Sequence, residues 1–268
     1  MSRPGAAVDD RIARAFTGNE RVAALMPYLM GGYPSLSASR ESAEAAAAAG
    51  ADLIELGVPF SDPLADGPVI HTAATEALSA GVTPDDVLSV CESAAQHVPV
   101  VLMVYANVVL SAGLETYPRR AAAAGAAGLI VPDLPYDEAA GLRAACDAAG
   151  LALVPLVAPT TPDRRVGEIG RDARGFVYTV SVAGTTGERA DLPAELPATV
   201  ERVRGLCELP VAVGFGISTP EQARAVGDLA DGVIVGSRMV RAAGEGGARA
   251  VGHLVADLAE ALEQGESP

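Results

Sequence analysis

The sequence predicts a single (β/α)8 barrel, the TIM-barrel architecture, with an extra helix at its N-terminus. Three observations predict it. Eight short apolar runs recur along the 268 residues, and at least one helical pattern follows each. The runs are continuous rather than alternating, as parallel strands buried on both faces require. A weak internal echo repeats helix end, small residue and strand: A-G-A-D-L-I-E-L-G from Ala49, A-G-A-A-G-L-I-V-P from Ala124 and L-A-D-G-V-I-V-G from Leu229. No linker or low-complexity break divides the chain, so one domain over residues 1–268 is expected, with 1–7 and 264–268 disordered. A doubly wound open sheet is the alternative. The eight regular units and the lack of G-x-G-x-x-G after the first strand argue against it.

In chain order, Asp9 to Phe16 forms the extra amphipathic helix, and Val22 to Met30 is strand one. Ser37 to Ala49 is an Ala-rich helix closed by Gly50. Strand two begins at Ala51. Helices follow over Val69 to Ala80 and Pro84 to His97, then a strand over Val100 to Tyr105. Glu115 to Ala124 is helical, Gly128 to Val131 a strand, and Asp137 to Ala149 a helix stopped by Gly150. Leu151 to Val157 is a strand, Pro162 to Ile169 a helix, and Phe176 to Val180 a strand. A long connection without hydrophobic period, Ser181 to Pro193, precedes a helix over Glu195 to Leu206. Strand seven is Val211 to Val213, and strand eight is Gly232 to Val235, with a helix over Thr219 to Val226 between them. Ser237 to Ala243 and a last helix from Gly247 to Glu263 complete the pattern.

Composition narrows the partners. Half the residues are apolar but only 4% aromatic, and Trp is absent, so the core is Ala, Val and Leu. A net charge of −15 argues against nucleic acid and anionic membranes. It also cannot steer an anionic substrate, so any phosphate must be held by local backbone dipoles. All 19 basic residues are arginine, which excludes Schiff-base chemistry on a lysine side chain. Cys91, Cys146 and Cys207 read as small buried residues in a reducing cytosol. His71, His97 and His253 show no metal-ligand spacing, so no metal site is expected. No signal pattern and no long apolar span occur, and a soluble cytoplasmic protein is expected.

The chemistry is concentrated after strand two. Glu55 lies inside the apolar run from Ala51 to Leu56. A carboxylate there is costly unless it is paired or functional. Gly57, Pro59, Pro63, Gly67 and Pro68 then force a rigid, irregular loop that carries Asp62 and Asp66. In a barrel, Glu55 and Asp66 both reach the C-terminal mouth, where active sites lie. An apolar strand raises the Glu55 pKa toward neutrality, while Asp66 in a polar loop stays ionised. Two carboxylates in unlike environments suit a division of acid–base work. The plainer alternative makes Glu55 a buried ion-pair partner and the loop acids helix caps.

Two further constellations surround that mouth. Gly214-Phe215-Gly216-Ile217-Ser218 follows strand seven, and Gly236-Ser237 follows strand eight and opens a helix. Glycines at 216 and 236, with Ser237 at a helix N-terminus, suit a phosphate. The loops after strands seven and eight are where barrels commonly bind one. Simple turn punctuation is the alternative. Tyr28, Tyr105, Tyr178 and Phe215 fall at or just past strand ends, as a pocket wall or as core packing. Ser181 to Asp191, with small polar residues and two glycines, reads as a lid or as a loop without fixed structure.

The stretch E-L-G-V-P-F-S-D-P-L-A-D-G-P, Glu55 to Pro68, closely resembles the signature of the tryptophan synthase alpha subunit family. The resemblance continues at Pro27-Tyr28 with Gly32-Tyr33-Pro34, at Tyr105-Ala106-Asn107 and at Pro132-Asp133-Leu134-Pro135. It also takes in Gly184 to Gly187, Gly214 to Ser218 and Gly236-Ser237, and covers residues 20 to 243. It implies cleavage of indole-3-glycerol phosphate to indole and glyceraldehyde 3-phosphate, in the last steps of L-tryptophan biosynthesis. Glu55 is then the general acid/base, and Asp66 the partner of the indole N–H. Tyr178 orients Glu55 or the glycerol chain. Leu102, Ile130 and Pro132 complete the aromatic and aliphatic pocket. Gly187 becomes a third phosphate contact, and Thr186 the lid residue that meets the catalytic aspartate.

The resemblance also implies a partner. It is a beta subunit in an alpha2beta2 assembly, and it carries the pyridoxal phosphate, for which this lysine-free chain has no anchor. Ser61 to Gly67 and Tyr105-Ala106-Asn107 lie on the expected contact face. No cofactor is expected on this chain. Three positions depart from the family pattern: Met30 at the mouth of strand one, and Val182 and Thr185 in the lid. They leave a stand-alone lyase that releases free indole as a second reading. A non-catalytic activator of a beta subunit is a third, against which both acids and all the phosphate glycines speak.

Overall fold

The computed structural model describes residues 10–18, 20–180, 192–214 and 216–264. The elements begin with α1 (Asp10–Thr17), β1 (Ala24–Met30), α2 (Leu36–Ala48), β2 (Ile54–Gly57), α3 (Pro68–Ser79), α4 (Pro84–Ala94) and β3 (Val100–Met103). Next come α5 (Ala106–Ala112), α6 (Thr116–Ala123), β4 (Gly128–Ile130), α7 (Ala140–Ala149), β5 (Ala152–Val154), β6 (Leu156–Val157), α8 (Asp163–Asp172) and β7 (Val177–Val180). The last are α9 (Leu196–Leu206), β8 (Val211–Gly214), α10 (Pro220–Gly227), β9 (Gly232–Val235) and α11 (Ser237–Ala261).

Every strand pairing is parallel, in the order β5-β4-β3-β2-β1-β9-β8-β7-β6. The two end strands of that order are consecutive in the chain and flank Pro155. The expected strand over 151–157 is thus split. Proline has no N–H to give the ladder, so β5 pairs with β4 before it and β6 with β7 after it. The Pro155 carbonyl still accepts the Tyr178 N–H at 2.9 Å. Covalent continuity through Pro155 closes the ring as eight barrel strands, with β8 and β9 as barrel strands seven and eight.

Period-two alternation sorts the side chains. One set, including Ala24, Met26, Leu53, Val101, Ile130, Val154, Tyr178, Ala212 and Ile234, fills the barrel interior. The other, including Leu25, Ile54, Leu56, Leu102, Leu129, Val177 and Val213, packs against the helices. Helix α1 closes the N-terminal end of the barrel: Ile12 is buried there, and Phe16 packs on Phe176 with ring centroids 5.5 Å apart. Arg11 anchors it by donating to the carbonyls of Gly125 and Ala126.

Local sequence explains most helix starts. Ser35 accepts the Ala38 N–H ahead of α2, Thr83 and Asp86 form a capping box on α4, and Thr219 caps α10. Helix α5 is different, since no element is expected from sequence at 106–112. Tyr105 supplies no side-chain cap there. Asp133, from the loop after β4, accepts the Ala106 N–H at 2.8 Å instead. The α11 span contains a non-helical Gly247 at φ +59°, which divides it as the sequence pattern expects. All three cysteines are buried and unpaired. No helix among the described residues is long and apolar enough to cross a membrane.

Candidate active site

Strand β2 places Glu55 on the barrel's inward face, level with Tyr28 of β1 and Val101 of β3. Glu55 is 2% exposed, and neither carboxylate oxygen has a hydrogen-bond partner among the described residues. Ion pairing, the plainer reading of a buried acid, is therefore not what holds it. Burial, with a smaller push from Asp66, raises its pKa from 4.5 to about 8. At neutral pH Glu55 is a protonated acid.

Asp66 stands at the end of the loop that follows β2. It is half-buried, and its pKa is raised too, chiefly by burial. A hydrogen bond from Tyr105 and the nearby His71 oppose that rise. The polar loop expected from sequence thus shields Asp66 from water more than its composition suggests. Both acids line one cavity, of about 40 Å³, with Tyr28, Ala65, Ile70, Met103, Pro132, Leu156, Tyr178, Gly216, Ile234, Gly236 and Ser237. A wider cavity of about 320 Å³ lies beyond Pro132 and Leu156, against α7 and α8, but contains neither acid.

Two phenols flank Glu55. Burial raises the pKa of Tyr28 and of Tyr178 well above 10, and the neighbouring carboxylates add to it, so both remain neutral hydrogen-bond donors. The hydroxyl end of each ring lies against a glycine of the adjacent strand. A Cβ on Gly57 would overlap the Tyr28 hydroxyl, and one on Gly214 the Tyr178 hydroxyl. The backbone at those two positions must come close to a ring, which only glycine permits.

The far side of the cavity is the start of α11. Gly236 is its N-cap and provides no side-chain cap. The Gly236 carbonyl accepts from Met239 and Val240, which leaves the N–H groups of Ser237 and Arg238 without a bond to described backbone. Those donors and the helix dipole favour an anion. Gly216 adds a backbone at φ +85° on the same rim.

The remaining sequence candidates divide. Leu102 does not line the cavity: it faces outward into the helix-side core, and Met103 faces in. Ile130 lies in the barrel interior, level with Met103 but not itself on the cavity wall, and Pro132 is on that wall. Tyr105 sits behind Asp66 rather than in the wall. Met30 is buried with Tyr28, Ile70 and Val240 beside the cavity. Thr186, Gly187 and Phe215, the lid from Ser181 to Asp191 with Val182 and Thr185, and residues 1–7 lie outside the described residues. Sequence analysis missed Ala65, Ile70, Met103, Leu156 and Ile234. Register could have found two of them: Met103 pairs with Gly57, and Leu156 with Tyr178. Among the described residues, no group of three or more His, Cys, Asp or Glu side chains is placed to hold a metal ion.

Comparison with known proteins gives the family of the chain and its fold. The family model described as tryptophan synthase alpha chain matches residues 15–265. The tryptophan synthase alpha chain of Carboxydothermus hydrogenoformans is 52% identical over 219 residues, 81% of this chain and 82% of that one. The alpha chain of Synechococcus elongatus is 46% identical over 244 residues, 90% and 92% of the two chains. Among solved structures, a Mycobacterium tuberculosis tryptophan synthase superposes with a TM-score of 0.89 at 40% identity, covering 95% of this chain and 99% of that chain. The alpha chain of Legionella pneumophila superposes at 0.85 with 32% identity, covering 97% and 98%. A buried acid on the second strand, a second acid in the loop beyond it and an open helix end opposite them thus occur in a member of the tryptophan synthase alpha chain family.

Proposed function

We propose that this chain is the lyase that cleaves indole-3-glycerol phosphate to indole and glyceraldehyde 3-phosphate by a retro-aldol reaction. The observation that carries the proposal is Glu55, a buried and uncharged acid without a partner, on the same cavity as Asp66. The phosphate rests on the N–H groups at Gly216 and at the start of α11. The indole ring lies among Tyr28, Met103, Leu156 and Ile234, all on the cavity wall.

The proton inventory closes on Glu55. Its carboxylic acid protonates C3 of the indole ring, and the resulting positive charge spreads to the ring nitrogen. Asp66 accepts a hydrogen bond from that N–H and stabilises the charge. The bond from C3 to the glycerol carbon then breaks, and its electrons restore the neutral indole. The adjacent hydroxyl becomes the aldehyde and gives its proton to the Glu55 carboxylate, which regenerates the acid. The ring itself accepts the electrons, so no lysine is needed, and the chain has none. Tyr28 and Tyr178, as neutral donors, orient Glu55 and the glycerol hydroxyls.

The proposal includes one cytoplasmic domain, working in an alpha2beta2 assembly with the beta subunit that binds pyridoxal phosphate. Two side chains near the cavity mouth support a docking face. Leu64, in the loop after β2, is 79% exposed, and Leu110 on α5 is 60% exposed. Exposed large aliphatic side chains around a polar rim suit a protein partner. A subunit that hands indole onward works poorly alone, because its competent state is sparsely populated until the partner biases it. The experiment follows indole and aldehyde release from indole-3-glycerol phosphate, with and without the cognate beta subunit. Cleavage is expected alone, with kcat rising about tenfold or more on addition, equivalent to ~1.4 kcal/mol of coupling. Full turnover indifferent to the beta subunit assigns a stand-alone lyase. No indole under either condition removes the catalytic assignment.

A further inference from the structure

Tyr105 follows β3, is 3% exposed and does not line the cavity. Three of its side-chain interactions go to the loop after β2. The ring stacks on Phe60, with centroids 5.0 Å apart and planes at 24°. The hydroxyl accepts the Ala65 N–H at 3.2 Å and donates to the Asp66 carboxylate. One side chain thus holds the start and the end of a loop whose residues 59–66 make no backbone–backbone hydrogen bond to other described residues. The loop's own sequence cannot supply such bonds readily, since Pro59 and Pro63 have no N–H. Tyr105 is itself fixed. The Ala106 N–H bonds to Asp133, and the Tyr105 carbonyl accepts from Val108 in the first turn of α5.

We infer that Tyr105 is a positioning residue for Asp66, a post on the barrel that clasps a loop without backbone–backbone hydrogen bonds to other described residues and aims the Asp66 carboxylate into the cavity. The inference rests on the reading of Asp66 given above. It makes the hydroxyl, not the ring, the part that acts on the reaction. A hydrogen bond to a charged group both orients that group and favours its charged form. Burial pushes Asp66 toward its neutral form, and the Tyr105 hydroxyl works against that push.

The test is Tyr105→Phe, assayed with the beta subunit present. Phenylalanine keeps the stack on Phe60 and the buried volume, so a thermal midpoint near wild type is expected. Because Asp66 acts on charge that develops during the reaction, kcat should fall about tenfold or more with KM little changed. The acidic limb of the kcat–pH profile should move to higher pH, since Asp66 loses the bond that favours its charged form. Asp66→Asn combined with Tyr105→Phe should be no slower than Asp66→Asn alone, because the two groups act as one unit. Phe60→Leu, which weakens the stack and spares the hydroxyl, should give a smaller loss in the same direction. Wild-type kcat and an unmoved acidic limb in Tyr105→Phe, with Asp66→Asn inactive, would overturn this inference alone. So would losses that simply multiply in the double variant. Full activity in Asp66→Asn would remove the role of Asp66 and the inference with it.

Discussion

Replacing Glu55 by Gln is expected to abolish cleavage and, above mildly acidic pH, to make the fold harder to unfold. The loss follows from the role of Glu55 as the group that gives and then regains the proton. Removing a general acid/base costs at least ~10²–10⁴-fold in kcat. The amide side chain keeps the shape of the acid, so substrate binding should survive. The gain in stability follows from linkage. The Glu55 pKa rises from 4.5 in the unfolded chain to about 8 in the fold. Between those values the folded state holds a proton that the unfolded state has released, so wild-type stability falls as pH rises through that window. Below it, both states are protonated and the term is fully present. Above it, the loss is complete. Urea midpoints of wild type and Glu55→Gln should therefore keep a constant offset below about pH 4.5 and diverge in favour of the variant up to about pH 8. Activity surviving in Glu55→Gln, or an offset that does not change with pH, would contradict the assignment. Function here is held at the expense of stability, as buried active-site acids commonly are.

The second large effect is expected at Gly236. A Cβ there meets only Ile70 Cδ1 at 3.7 Å, an ordinary contact, so the space admits a side chain, while the ψ of −91° lies below the usual helical range. Gly236→Val strains that backbone locally, so its KM is read on protein whose thermal midpoint and circular dichroism show the wild-type fold. Its branched side chain would stand between the first N–H groups of α11 and an incoming phosphate. Losing hydrogen bonds to a charged group costs ~1.5–3 kcal/mol, so KM should rise roughly 10- to 150-fold while kcat changes less. Gly216 is the poorer probe, because its φ of +85° makes any side chain strained before substrate arrives. Unchanged KM in a folded Gly236→Val variant would show that the phosphate binds elsewhere.

Legibility in the sequence followed how local each cause was. Glu55 to Pro68 announces itself because the strand, the buried acid and the proline-bound loop are contiguous. Helix ends at Gly50 and Gly150 were legible for the same reason, since both take positive φ. The interior lining was not, because it depends on which of two neighbouring residues faces inward. Leu102 and Met103 are equally apolar, and only the pairing of Glu55 with Val101 puts Met103 on the inward face. Pro155 sits inside an apolar run that reads as one strand, yet its missing N–H divides the ladder. Helix α5 has its cap on Asp133, 27 residues away. Tyr105 looked like a wall residue because it ends a strand. Its partners Phe60, Ala65 and Asp66 lie about 40 residues earlier in the chain, beyond the reach of any local pattern.

The central claim is that the fold keeps Glu55 protonated at neutral pH so that it can act as the acid. Carbon NMR of protein labelled at the glutamate side-chain carboxyls, with Glu55→Gln identifying the Glu55 resonance, measures this without any assay of turnover. The account predicts that the Glu55 signal titrates with a midpoint near 8. A midpoint in the ordinary carboxylate range, near 4.5, would mean that Glu55 is already charged when substrate arrives, and would contradict it.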